Sequence, residues 1–149
     1  MADHFWARID IGGNLDRRSL ERFCRVFGAD LRSLPECMEN GHLVKVNPEA
    51  SCGQFSDLED LCRELGLSYI RHSDGRYECP PEITFWTPDS ADPVRLLIDQ
   101  DGALQVDMDA VRRILAVLQG GDTAEALRLV EAAVKDLPTL PAFRITEEA

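Results

Sequence analysis

Apolar residues recur at two different periods along this chain, and the points where the period switches restrict its architecture more than any motif does. Phe5, Ala7, Ile9 and Ile11 alternate with Trp6, Arg8 and Asp10, the period of two that belongs to a strand with one buried face. Gly12-Gly13 reads as the end of that strand. Leu20, Phe23, Cys24 and Phe27 then recur at helical spacing, with Asn14 or Asp16 as cap and Gly28 as stop. After a loop through Pro35 and Asn40-Gly41, His42 to Val46 reads as a second strand, and Asn47 to Phe55, which contains Pro48 and Gly53, as irregular chain.

Ser56-Asp57-Leu58-Glu59 is a capping box, in which the hydroxyl accepts from one orphan N–H and the glutamate reaches back to another. The helix it opens carries Leu58, Leu61, Cys62 and Leu65 as its stripe and stops at Gly66. Leu67 to His72 reads as a strand, Asp74-Gly75 as a hairpin turn and Arg76 to Cys79 as its return, until Pro80-Pro81 interrupts the pairing. Glu82 to Thr87 sets Ile83 and Phe85 against Thr84 and Trp86, and Val94 to Ile98 pairs with Ala103 to Val106 around Asp101-Gly102.

From Asp107 the period returns to 3.6. Met108, Val111, Ile114, Leu115 and Leu118 form one stripe, stopped at Gly120-Gly121. Asp122 with Glu125 boxes a second, carrying Ala124, Leu127, Val130, Ala133, Val134 and Leu137 before Pro138. Two such helices are expected to form an αα-hairpin packed on the sheet, and Ala142 to Thr146 to add a last strand. The expectation is an α+β fold in one compact domain over residues 1–149: an N-terminal βαβα part, an antiparallel meander, a C-terminal helical hairpin and a last strand.

Charge narrows the function classes. The 149 residues hold 27 acids against 16 Lys and Arg, a net charge of −11, which argues against direct binding to nucleic acid or to anionic membranes. No apolar run reaches the roughly 20 residues that span a bilayer, and the first residues lack the basic start and apolar stretch of a secretory leader. Five cysteines without a CxxC pair are unlike a disulfide framework and suit a reducing cytoplasm.

The candidate constellations each carry a plain structural alternative. Gly12-Gly13 between strand and helix suggests a phosphate turn, but without GxGxxG or GxxxxGK[ST], and with Asp10 and Asp16 beside it, a simple turn accounts for it. Cys37, His42, Cys52, Cys62, His72 and Cys79 lack the close pairs of a zinc knuckle, so no metal and no cofactor is expected. Nucleophilic chemistry or ligand binding could use, for example, Cys52 of the 47–55 loop with His42 or His72, yet no catalytic signature surrounds any of the cysteines or histidines. Asp57, Asp60 and Glu64, with Glu59, form an acidic outer face on the second helix, and Arg18, Arg22 and Arg25 a basic stripe on the first. Trp6 and Trp86, both opposite the inward positions of their strands, would give the sheet an aromatic surface of the kind that anchors interfaces.

In size, acidity, preference for Arg over Lys and lack of a catalytic signature, the chain resembles the accessory proteins of bacterial phages and mobile elements, among them inhibitors of host defence complexes. That resemblance implies a non-catalytic protein-binding module. It would use Asp57, Asp60, Glu64, Trp6, Trp86, Arg18, Arg22 and Arg25 to occlude a basic surface of a larger complex. The alternatives are a small ligand-binding or enzymatic domain built on Cys52, His42 and His72, and a homodimeric scaffold joined through a sheet face or edge strand.

Overall fold

The structure is a computed structural model, and it describes residues 4–75, 80–99, 101, 103–134 and 137–147. In chain order the elements are β1 (His4–Asp16), α1 (Leu20–Phe27), β2 (Met38–Glu39), β3 (His42–Ser51), α2 (Ser56–Leu65), β4 (Ser68–Ser73), β5 (Glu82–Trp86), β6 (Val94–Leu97), α3 (Met108–Gln119), α4 (Thr123–Ala133) and β7 (Phe143–Thr146). Six strands lie in the order β2-β3-β1-β4-β5-β6, all pairs antiparallel, and β7 joins β1 in parallel. The fold is α+β, with the antiparallel sheet as its centre.

Register fixes the chemistry of each face. One row sets Lys45, Ile9, Arg71, Thr84 and Arg95 side by side, and the next sets Leu43, Ile11, Tyr69 and Trp86. These rows face α1 and α2. Their apolar members join Phe23, Phe27, Leu58, Leu61 and Cys62 in one core, in which Phe23 stacks on Phe27 and on Phe143 at 5.7 and 6.1 Å between ring centroids. The opposite face carries Val46, Arg8, His72, Ile83 and Leu96 in one row and Val44, Asp10, Ile70, Phe85 and Val94 in the other.

Several expected boundaries move. Gly12-Gly13 does not end β1, which runs on to Asp16. A Cβ at Gly12 would lie 2.0 Å from the Pro141 carbonyl oxygen, so the glycine makes room for the chain entering β7. Asp16, not Asn14, is the cap, accepting from the Arg18 N–H in a 3-10 turn that leads into α1. β3 extends through Pro48 to Ser51, taking much of the stretch expected to be irregular. The capping box closes by half, displaced one residue. Glu59 accepts from the Phe55 N–H at 2.8 Å, while the Ser56 hydroxyl turns to Gln54.

β4 pairs with β5, and the expected return strand, Arg76 to Cys79, lies outside the described residues. The hairpin around Asp101 forms but is short, with a bridge between Ile98 and Leu104 flanked by backbone bonds from the Asp99 N–H to the Ala103 carbonyl and from the Gln105 N–H to the Leu97 carbonyl, while Gly102 falls outside the description. The helical hairpin forms as expected, with Asp107 and Asp122 as N-caps. Its packing is a correction, because α3 and α4 pack on each other rather than on the sheet, and α3 buries none of its residues.

Candidate functional site

Where β1, β4 and β5 meet, the two faces of the sheet hold different polar groups. On the helix-covered face Arg71, 3% exposed, donates from all three of its nitrogens. Its Nε donates to Glu59 at 3.0 Å, Nη1 to the Gly53 carbonyl, Ser73 and Glu82 at 2.8, 2.5 and 3.2 Å, and Nη2 to Thr84 at 3.2 Å. Glu82 is shared with Arg95. This network ties α2, β4, β5 and the 51–55 turn together. Gly53 stands at φ +63°, where a Cβ would strike the Phe5 ring at 2.2 Å, so the backbone can approach Arg71 only with glycine there. A cleft of about 390 Å³ beside the network is lined by Cys52, Gln54, Phe5 and Arg95 among others. The two buried carboxylates, Glu59 and Glu82, are balanced by Arg71 and Arg95 together, and the cluster is an ion-pair network that holds the fold.

On the face away from α1 and α2, a wider concavity of about 710 Å³ is lined by Trp6, Arg8, Asp10, His72, Asp74, Pro81, Ile98, Asp99 and Asp101 among others. Strand alternation places Trp6, Arg8 and Asp10 here, and β4 adds His72 opposite Arg8. Arg8 forks onto Asp10, with Nε and Nη2 donating at 2.8 and 3.2 Å, and reaches Glu39 at 3.5 Å. Burial, with the Arg8 guanidinium nearby, holds the His72 imidazole below its ordinary pKa against the pull of Asp10. Asp99 accepts from the N–H groups of Asp101 and Ala103 at 2.9 Å each, which bends the chain and sets the rim. Four aspartates against one arginine leave the lining at a net −3.

The residues read from sequence disperse. Trp6 lines the concavity, half-buried. Trp86 is corrected: it pairs with Tyr69 in the core-facing row, is 7% exposed, and its indole N–H is buried without a partner. Every residue of β5 is buried, so alternation along it carries no inward or outward signal. The acidic and basic helix faces meet each other, because Arg22 forks onto Glu64 at 2.9 and 2.7 Å. Asp60 pairs with Arg63, Arg18 with Asp16 and Arg25 with Glu21. Asp57 stays exposed in the first turn of α2, whereas Glu59, expected on the outer face, is buried.

Cys52, His42 and His72 are not brought together. His42 and Cys52 stand at opposite ends of β3, about 30 Å of extended chain apart, and His42 donates from Nε2 to the Leu140 carbonyl. His72 lies on the sheet face opposite the cleft that Cys52 lines. Among the described residues no group of three or more His, Cys, Asp or Glu is arranged to hold a metal, and no helix is long and apolar enough to cross a membrane. Arg71 had no local signal, since its partners Glu59, Gly53, Glu82 and Thr84 come from three other segments. Compared with family models, curated proteins and solved structures, the chain matches none.

Proposed function

We propose that the protein is a non-catalytic binding module that docks on a basic protein surface and occludes it. The observation that carries this reading is the Trp6 concavity, an indole among four aspartates whose one arginine is already paired to Asp10 and Glu39. A Lys or Arg side chain of a partner is the chemistry that suits it, with the cation over the indole and carboxylates around it. This moves the acidic docking surface from Asp57, Asp60 and Glu64, two of which are engaged internally, to Asp74, Asp99 and Asp101, while Asp10 is held by Arg8. The net charge of −11 would speed encounter with such a partner, and Trp6 would supply much of the affinity. The described cysteines, Cys24, Cys37, Cys52 and Cys62, are free thiols, in keeping with work in a reducing cytoplasm.

The test is capture of partners from a host lysate by the tagged protein, washed at rising salt and read by mass spectrometry, alongside Trp6→Ala and Asp74→Lys/Asp101→Lys. Asp74 and Asp101 are exposed, so their replacement leaves the fold intact. A salt-sensitive partner lost by both variants supports the reading. A partner held equally by all three proteins removes the concavity from it.

A further inference from the structure

The helical hairpin presents a surface that the rest of the chain leaves open. On α3, Met108, Val111, Leu115 and Leu118 follow one another at intervals of three, four and three residues, and Leu127, Val130, Val134 and Leu137 repeat those intervals on and just beyond α4. All eight are exposed, from 37% at Val130 to 61% at Val134. Such spacing is the seam of packed helical bundles. These seams are additional to the hairpin's own interface, which uses Ile114 and Val117 on α3 and Ala126, Leu129 and Ala133 on α4. At 3.6 residues per turn, the α3 seam and Leu127 and Val130 on α4 fall on the same side of the plane that contains the two helices, with Val134, the exposed C-cap of α4, at the end of that surface.

We propose that this surface docks a second copy of the chain, two hairpins closing into an antiparallel four-helix bundle that makes the protein a homodimer. Area is the first argument. The seven exposed residues from Met108 to Val134 offer on the order of 600 Å² per copy, so that a pair buries about 1,200 Å², at the lower end of the range of stable interfaces.

Charge is the second. Residues 107–134 hold five acids and three bases, net −2, in a chain of net −11, so two copies meet at a weakly charged segment and keep their acidic remainders apart. The third is complementarity at the border. A two-fold axis parallel to the helices sets each α3 antiparallel against α4 of the second copy. The register that opposes Ile114 to Leu129 also puts Arg112 level with Glu131, both on the outer border. Arg112 of each copy then meets Glu131 of the other, whereas within one chain Arg112 has Asp109 of its own helix at 3.5 Å.

Light scattering of the full chain tests this, and the expected mass is twice the 16.7 kDa of one copy. Leu115→Gln/Leu127→Gln is expected to give a monomer with an unchanged far-ultraviolet circular dichroism spectrum, because both side chains are exposed in the single chain. Arg112→Glu is expected to weaken the dimer roughly tenfold, and adding Glu131→Arg to restore it. Trp6→Ala is expected to stay dimeric, which separates this result from the fate of the binding module. A monomeric wild type would overturn the proposal, whether the hairpin then takes another protein or folds onto its own sheet. A dimer that survives Leu115→Gln/Leu127→Gln would overturn it as well, as would a charge swap that fails to restore.

Discussion

Phe23 on α1 and Leu115 on α3 hold equivalent places in their apolar stripes, yet Phe23 is wholly buried and Leu115 is 54% exposed. Connection explains the difference. α1 leaves the central strand β1 through a single 3-10 turn, and α2 bridges β3 to β4, so both helices are delivered onto Ile9, Ile11 and Tyr69. α3 and α4 instead come after the edge strand β6, and the chain then returns past Leu140 to place β7 beside β1. An amphipathic stripe says that a helix needs cover, and the strands at its two ends decide whether the sheet supplies it.

The sharpest way to break this contrast is to truncate one residue in each pair. Phe23→Ala is expected to cost about 3–5 kcal/mol of unfolding free energy, the transfer loss plus a cavity. Leu115→Ala in the dissociated protein is expected to stay within about 0.5 kcal/mol, as for surface positions generally. Urea denaturation at low protein concentration measures both, and equal losses would mean that the hairpin is covered within the single chain.

Next in size is the link that α2 has and the hairpin lacks. Arg71→Ala strands Glu59 in the core and is expected to cost about 3–5 kcal/mol, whereas Arg71→Met with Glu59→Met is expected to recover most of that, because well-packed apolar groups replace a buried pair at little loss. If the double variant is as unstable as the single one, Arg71 matters through its bonds to the Gly53 carbonyl and Ser73 instead.

Much of this architecture was legible in the residues, and the failures are instructive. Alternation over Phe5 to Ile11 identified both faces of β1 because one face meets helices and the other is partly solvated. The same reasoning misplaced Trp86, since β5 is closed on both faces and its inward side is set by register with Tyr69. The stops at Gly28 and Gly66 are local, and both adopt the left-handed conformation expected. Gly12 was opaque, because its reason is the Pro141 carbonyl, more than a hundred residues away. The candidate site was legible in the Trp6, Arg8 and Asp10 face of β1 and in His72. Asp74, Asp99 and Asp101 belong to turns whose convergence depends on strand order, which no spacing along the chain reports.

Thiol labelling sharpens the contrast further. Cys62 lies in the buried stripe of α2, and burial pushes its pKa up to about 12, so it is expected to react only through unfolding, at least about a thousandfold slower than an exposed thiol. A cysteine introduced by Leu115→Cys is expected to label quickly in dilute protein and more slowly as concentration rises and copies associate. Concentration-independent labelling at that position would disconnect the hairpin from any second copy.

The smallest expected effect concerns how the helices of each pair are joined. Arg22 on α1 reaches Glu64 on α2, while the ion pairs of the hairpin, Arg112 with Asp109 and Arg128 with Glu125, each stay within one helix. The hydrogen bond from Arg22 holds the Glu64 carboxyl below its ordinary 4.5. With the folded pKa lowered, the folded state binds fewer protons than the unfolded chain in that window. The contribution of the pair is therefore complete above pH 4.5 and disappears as pH falls through the folded value. Both groups are exposed, so the effect is small and screened by salt. Glu64→Gln is expected to lower the melting temperature slightly at neutral pH and low salt, with the two proteins converging in acid. A difference that persists in acid would show that the Glu64→Gln substitution disturbs packing between α1 and α2 and that the ion pair is not what joins them.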